Sequence, residues 1–245
     1  MSARIRNLLF PVFALFLLTS VTLAAQEGGG AEPKKANKTA LELFETTGFV
    51  GWLMVICSVT GTALAIEHIV NLRREKLAPA SLAEDLKALI DEERYDEAVE
   101  LAEEEGGYLS SLIASALQMR HAGYEEMIQG LEAAASEQAF KLNTKISYLS
   151  LIGNVAPLLG LLGTVTGMIS SFQEIEKLKA PTPGDLAVGV YESLVNTTMG
   201  LFVAIIFLTA YFLFKNKVAK MTLSMNLQAV GMLRHLAPSK EAHAV

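Results

Sequence analysis

Three long apolar stretches divide a chain that elsewhere alternates charged and oily residues at helical spacing. The stretches fall at 49–70, 148–173 and 188–214, each at or above the roughly 20 residues a helix needs to cross a bilayer. The middle one is patterned. Read at 3.6 residues per turn, Gly153, Ala156, Gly160, Gly163, Thr164, Gly167, Ser170 and Ser171 share one face. Leu158, Leu162, Val165, Ile169 and Phe172 share the other. A helix with one small face and one bulky face packs closely on helices and shows its bulk to lipid. The third stretch repeats this logic, with Gly189, Ser193, Asn196, Thr197, Gly200 and Ala204 on a small face and Glu192 beside it.

Between Pro79 and Lys145 the pattern becomes amphipathic. Leu82, Leu86, Leu89 and Ile90, then Ala98, Leu101 and Ala102, recur at helical intervals within an acidic run. Gly106-Gly107 and Gly123 break that run, and no proline interrupts Glu125 to Ala156. One helix is therefore predicted to run from this region into the second apolar stretch. Pro157 should kink it, and Pro181 and Pro183 should end it beyond Phe172.

Basic residues orient the spans. Arg73, Arg74 and Lys76 follow the first stretch, and Lys215, Lys217 and Lys220 follow the third, which places both ends inside by the positive-inside rule. Residues 1–24 have a signal-peptide pattern: Arg4 and Arg6, an apolar core from Leu8 to Leu18, and Thr22-Leu23-Ala24 before a cleavage point. An uncleaved anchor would give the same topology. The expected organisation is an all-α, polytopic membrane protein with three mature spans, the second and third extended into the cytoplasm. A periplasmic linker (25–48) precedes the first span. A cytoplasmic helical region (71–147), a periplasmic turn (174–187) and a cytoplasmic tail (215–245) complete it.

Composition narrows the function. With 51% hydrophobic and 19% charged residues, the 245-residue chain combines a few spans with a water-exposed part. A net charge of −6 disfavours a nucleic-acid partner. The single cysteine, Cys57, excludes an intrachain disulfide and reads as a small buried hydrophobe. The carboxylate runs Asp91-Glu92-Glu93 and Glu103-Glu104-Glu105 read as a solvated face, and Glu67 and His68 as an interfacial pair near the arginines. No phosphate-binding loop, nucleophile–base pair or metal-ligand spacing is present, so neither an enzyme nor a cofactor is expected.

The candidate chemistry lies in the spans. Thr164 and Thr197 each stand nine residues inside span ends drawn at 173 and 188, about 13 Å deep at 1.5 Å per residue. Either threonine alone can simply bond its own helix carbonyls. Two at one depth on glycine-lined faces suggest a cavity wall. Glu192 is either part of that wall or an interfacial carboxylate, and Asn196 could bond it. No carboxylate occupies the deep half of any of the three stretches. Hydroxyls do not titrate near neutrality, so a conducted proton would need an acid from another chain.

The runs Ala156-Pro-Leu-Leu-Gly-Leu-Leu-Gly-Thr-Val-Thr-Gly-Met-Ile-Ser-Ser-Phe172 and Glu192-Ser-Leu-Val-Asn-Thr-Thr-Met-Gly-Leu-Phe-Val-Ala204 resemble the MotA/TolQ/ExbB proton channel family, nearest its ExbB branch. The resemblance covers about residues 49–220. It implies a pentamer whose pore holds an ExbD/TolR-like single-span partner carrying a membrane aspartate. In that arrangement Thr164, Thr197 and Glu192 would line the ion pathway, with Asn196 beside them. Gly160, Gly163, Gly167 and Gly200 would serve helix packing. A TonB-like protein would pass the energy to outer-membrane transport, with a TolQ-like envelope role or a non-conducting scaffold as alternatives. Two positions depart from the pattern: Ile206, where a proline is common, and Asn196, where a small apolar residue is usual. The extra amide would bind water beside Thr197 or tie two helices together.

Overall fold

The computed structural model describes residues 48–177 and 182–237, so the predicted signal peptide and most of the linker lie outside the described residues. All regular structure among the described residues is helical. Helix α1 covers Gly48–Asn71, α2 Arg74–Leu77, α3 Ala80–Asp91, α4 Tyr95–Glu105 and α5 Tyr108–Gln118. A 3-10 turn at Arg120–Ala122 leads into α6, Tyr124–Lys177, and α7 covers Pro183–Leu233. Three of these, α1, α6 and α7, are long and apolar enough to cross a membrane. The described residues divide into two compact units, one from residues 48–62 with those of 150–208, the other from residues 63–149 with 209–237.

The second unit has a water-soluble logic. Its centre is α5, where Leu109, Leu112, Ile113, Ala116 and Leu117 are fully buried. A helix apolar on most of its circumference must be covered on all sides. Here α3 contributes Leu86 and Ile90, α4 Ala98 and Ala102, α6 Met127 and Leu131, and α7 Met225, Ala229 and Leu233. Each large side chain so buried contributes roughly 1.5–3 kcal/mol. Gly106 and Gly107, at φ 62° and 106°, make the turn into α5, a conformation other residues adopt at a cost.

The acidic run does not form one helix. It breaks at Glu92–Arg94, with Glu93 left-handed at φ 60° and the Arg94 amide donating to the carbonyl of Leu89 at 2.9 Å. Neither glycine nor proline marks this stop. Arg94 secures it by donating to Glu92 (3.0 Å) and to both carboxylate oxygens of Glu97. Those bonds hold the exposed Glu97 carboxyl below its ordinary range. Tyr108 closes the unit from inside: its hydroxyl donates to Asn226 Oδ1 at 2.9 Å, and burial raises its pKa. Tyr108→Phe strands that acceptor, so a loss of about 1–2 kcal/mol is expected, read as a lower melting temperature of the solubilised chain.

Three expectations are corrected here. The helix crossing the second span does not stop near Phe172 but continues to Lys177. Pro183 does not end it; it opens α7 at the first helical position, where its missing N–H costs nothing. His68 and Glu67 part ways. His68 is buried, its Nε2–H donating to the Lys145 carbonyl at 3.1 Å and its ring edge-on to Phe214, while Glu67 is exposed and accepts from Asn71. A buried imidazole spends its donor on a backbone oxygen, which the neighbouring arginines had hidden from a sequence reading.

Candidate functional site

In the first unit α6 and α7 meet along a seam of small residues. A methyl group added at Gly200 would lie 2.6 Å from the Ala156 carbonyl oxygen and 3.2 Å from Gly160 Cα. At Gly160 it would lie 3.0 Å from Thr197 Cα, at Gly163 2.8 Å from Asn196 Cβ, and at Gly167 2.5 Å from Ser193 Oγ. Gly153 sits likewise against Leu208. The register is antiparallel: positions climb α6 as their partners descend α7. Helix α1 joins through Gly61, which lies beneath the buried ring of Phe207. In lipid the hydrophobic effect does not drive such packing. Close backbone approach and interhelical hydrogen bonds do, and small residues permit both.

Four threonines of the two helices use their hydroxyls differently. Thr164 donates to Leu161 O at 2.7 Å, Thr166 to Leu162 O at 2.9 Å and Thr198 to Leu194 O at 3.1 Å, all within their own helices. Thr197 donates across the seam to Gly160 O at 3.2 Å. The bond fixes the levels. Thr197 faces Gly160, four residues or about 6 Å along the helix from Thr164. The two threonines are thus offset by about one turn rather than level, because close packing of α7 on Gly160, not distance from the span ends, sets the register.

Asn196 is 4% exposed and lies against Gly163. Its Oδ1 has no hydrogen-bond partner among the described residues, which removes the helix–helix hydrogen bond as that oxygen's role. Within the chain the amide is enclosed by the seam, not open to a pathway. Ser193, also buried, faces Gly167 one turn earlier. Its spacing on the small face of the third span was the signal for it. Glu192 lies in α7, four residues before Asn196. Pro157 lies within α6, which stays helical on both sides of it.

A family profile, the MotA/TolQ/ExbB proton channel family, matches residues 104–227, just over half of the chain and the whole of this seam. The chain belongs to that family. The MotA/TolQ/ExbB relatives it matches carry both ExbB and TolQ names. A putative biopolymer transport protein ExbB homolog of Methanothermobacter thermautotrophicus is 30% identical over 176 residues, 71% of this chain and 62% of that protein. The Tol-Pal system protein TolQ of Pseudomonas aeruginosa is 33% identical over 87 residues, 36% of this chain and 38% of that one. Biopolymer transport protein exbB1 of Vibrio cholerae is 26% identical over 170 residues, 67% and 74% of the two chains. The matched stretch thus spans under two thirds of the first two relatives. A solved structure of Campylobacter jejuni MotAB shares the fold, with a TM-score of 0.54 at 17% identity over 94% of this chain and 91% of that one. A multi-pass membrane protein of the proton-channel family, all-helical with a helical domain, is therefore established.

Proposed function

We propose that this chain is the membrane channel subunit of an ExbB-like motor, which works only with a single-span partner that supplies the proton-binding carboxylate. The observation that carries the reading is the mismatch between walls and acid. The apolar runs of α6 and α7 offer hydroxyls and an amide on a tightly built seam, yet hold no Asp or Glu from Asn143 to Phe172 or from Ser193 to Phe214. A proton channel without a deep titratable group needs one from elsewhere, and an ExbD/TolR-like aspartate fits.

On this reading copies of the chain form a ring, with five the number the resemblance implies, around the partner. Thr164 hydrogen-bonds water in the pathway, Glu192 attracts protons at its outer end, and Thr197 holds the wall while presenting its hydroxyl. The mature N-terminus is periplasmic and the C-terminus cytoplasmic. Each proton crossing inward releases about 2.3 kcal/mol per 100 mV, which the partner passes to a TonB-like protein and outer-membrane uptake. The TolQ-named relatives support a second reading, an envelope-integrity motor with the same channel.

The test is reconstitution with the product of a neighbouring gene for a small single-span protein bearing a membrane carboxylate. Proton entry into vesicles is expected for the complex, not for the chain alone, and is lost when the partner's carboxylate becomes an amide. A complex that assembles but passes no protons under an applied pH gradient and potential sinks the channel reading. Uptake of a TonB-dependent substrate, against detergent sensitivity of the envelope, separates the two motor roles. Thr164→Val should cut proton entry at least about tenfold, the scale of a lost 1.4 kcal/mol, while assembly stays intact, because its hydroxyl bonds only Leu161 O.

A further inference from the structure

We propose that α7, beyond its apolar run, docks against α6 of a second copy of this chain through an apolar face with complementary charge. This deepens the ring of the functional reading above and rests on it. Leu223 and Leu227 are 61% and 65% exposed, and Val230 is exposed beside them. A bilayer does not account for them. Lys215, Lys217 and Lys220 intervene, and Leu227 stands about 20 Å beyond Phe214 at 1.5 Å per residue. With Lys220 and Arg234, also exposed, at its two ends, the face advances in steps of three and four residues. That is the spacing of a helix that packs along another helix. An oily stripe of this kind standing in water marks a protein contact.

The complement lies on the same chain. On α6, Glu126, Gln129, Ala133, Ser136 and Phe140 are exposed at the same spacing, Phe140 by 71%. The charges oppose. Residues 124–137 hold Glu125, Glu126, Glu132 and Glu137 and no cation, while 215–236 hold Lys215, Lys217, Lys220 and Arg234 and no carboxylate. Pairing α7 with α7 would set cations against cations. The face therefore suits α6 of a neighbour, a head-to-tail contact of the kind that closes rings. Heights agree as well. Within the chain Ile146 and Val218 share one buried cluster, and Tyr108 Oη lies 3.4 Å from Ala135 O and 2.9 Å from Asn226 Oδ1. Copies turned about an axis along these helices keep that register. Leu223 then meets Phe140, Val230 meets the small Ala133, and Arg234 falls within a turn of Glu126.

The test weighs the full chain in detergent by native mass spectrometry across a dilution series, with helix content followed by circular dichroism. The native chain should assemble. Leu227→Glu should raise the concentration for half-assembly at least about tenfold, the scale of one leucine returned to water. Its helix content should be kept, because the position is exposed in the single chain. Arg234→Glu and Glu126→Arg should each weaken assembly about threefold, and together restore it to within about twofold, which a loss of folding would not do. Glu104→Arg, on the exposed side of α4, should change nothing. A native chain that stays monomeric overturns both the ring and this surface. An assembling native chain with an unaffected Leu227→Glu overturns the surface and leaves the ring standing. So does a double charge variant that assembles no better than either single one. The channel reading fails separately, when an assembled complex passes no protons.

Discussion

Gly200→Ala is expected to prevent α6 and α7 from closing, and with them the assembly of any channel. The added methyl would meet the Ala156 carbonyl oxygen at 2.6 Å and Gly160 Cα at 3.2 Å, and both are backbone atoms of a helix that cannot turn aside. Overpacking costs about 1–3 kcal/mol where side chains can give way, and more where they cannot. Two controls make the cost interpretable. Gly167→Ala meets Ser193 Oγ at 2.5 Å, but a side chain can rotate, so an intermediate loss is expected. Gly231→Ala, with nothing within 4 Å, should be neutral or slightly stabilising through its better helix propensity. Thermal stability of the solubilised protein would read the series. If Gly200→Ala melts with the native chain, the seam is not as close as described.

Much of this was legible because membrane helices leave plain traces. Apolar length gave the three spans, and the regular spacing of Gly160, Gly163 and Gly167 gave a face that must meet backbone. The Gly106-Gly107 and Gly123 breaks were legible because glycine at positive φ marks a turn. The stop at Glu93 was not. A glutamate there takes a left-handed conformation that its residue type disfavours, and what secures it is an arginine fork reaching two carboxylates. The burial of His68 was hidden for a related reason. Its bond goes to the Lys145 carbonyl, 77 residues away, and a backbone oxygen has no signature in the sequence. The central place of α5 was also obscure, since its apolar run reads as one more amphipathic segment until its neighbours cover it. Depth was legible only to within a turn. Counting from apolar edges put Thr164 level with Thr197, whereas helix contacts, not hydropathy, set the register and place Gly160 there.

That register separates two jobs a single residue could perform, and Thr197 is where they can be pulled apart. Its hydroxyl reaches Gly160 O at 3.2 Å, an interhelical bond worth about 0.6–2 kcal/mol in a membrane. Thr197→Val keeps the shape, loses the bond, and should lower stability by about that amount. Alone, this would leave most of the protein folded. If the hydroxyl also serves the proton path, flux through the assembled complex should fall by far more than the stability change explains, at least about tenfold for 1.4 kcal/mol of lost transition-state stabilisation. Thr197→Ser restores the hydroxyl and should recover flux to within about twofold while remaining slightly less stable for the lost methyl. Thr198→Val provides the reference, because Thr198 bonds only the carbonyl of Leu194 and its loss should touch neither flux nor stability appreciably. Wild-type flux through a folded Thr197→Val complex would leave the hydroxyl as helix glue alone. The pathway would then have to run along the Thr164 side of α6, one turn away.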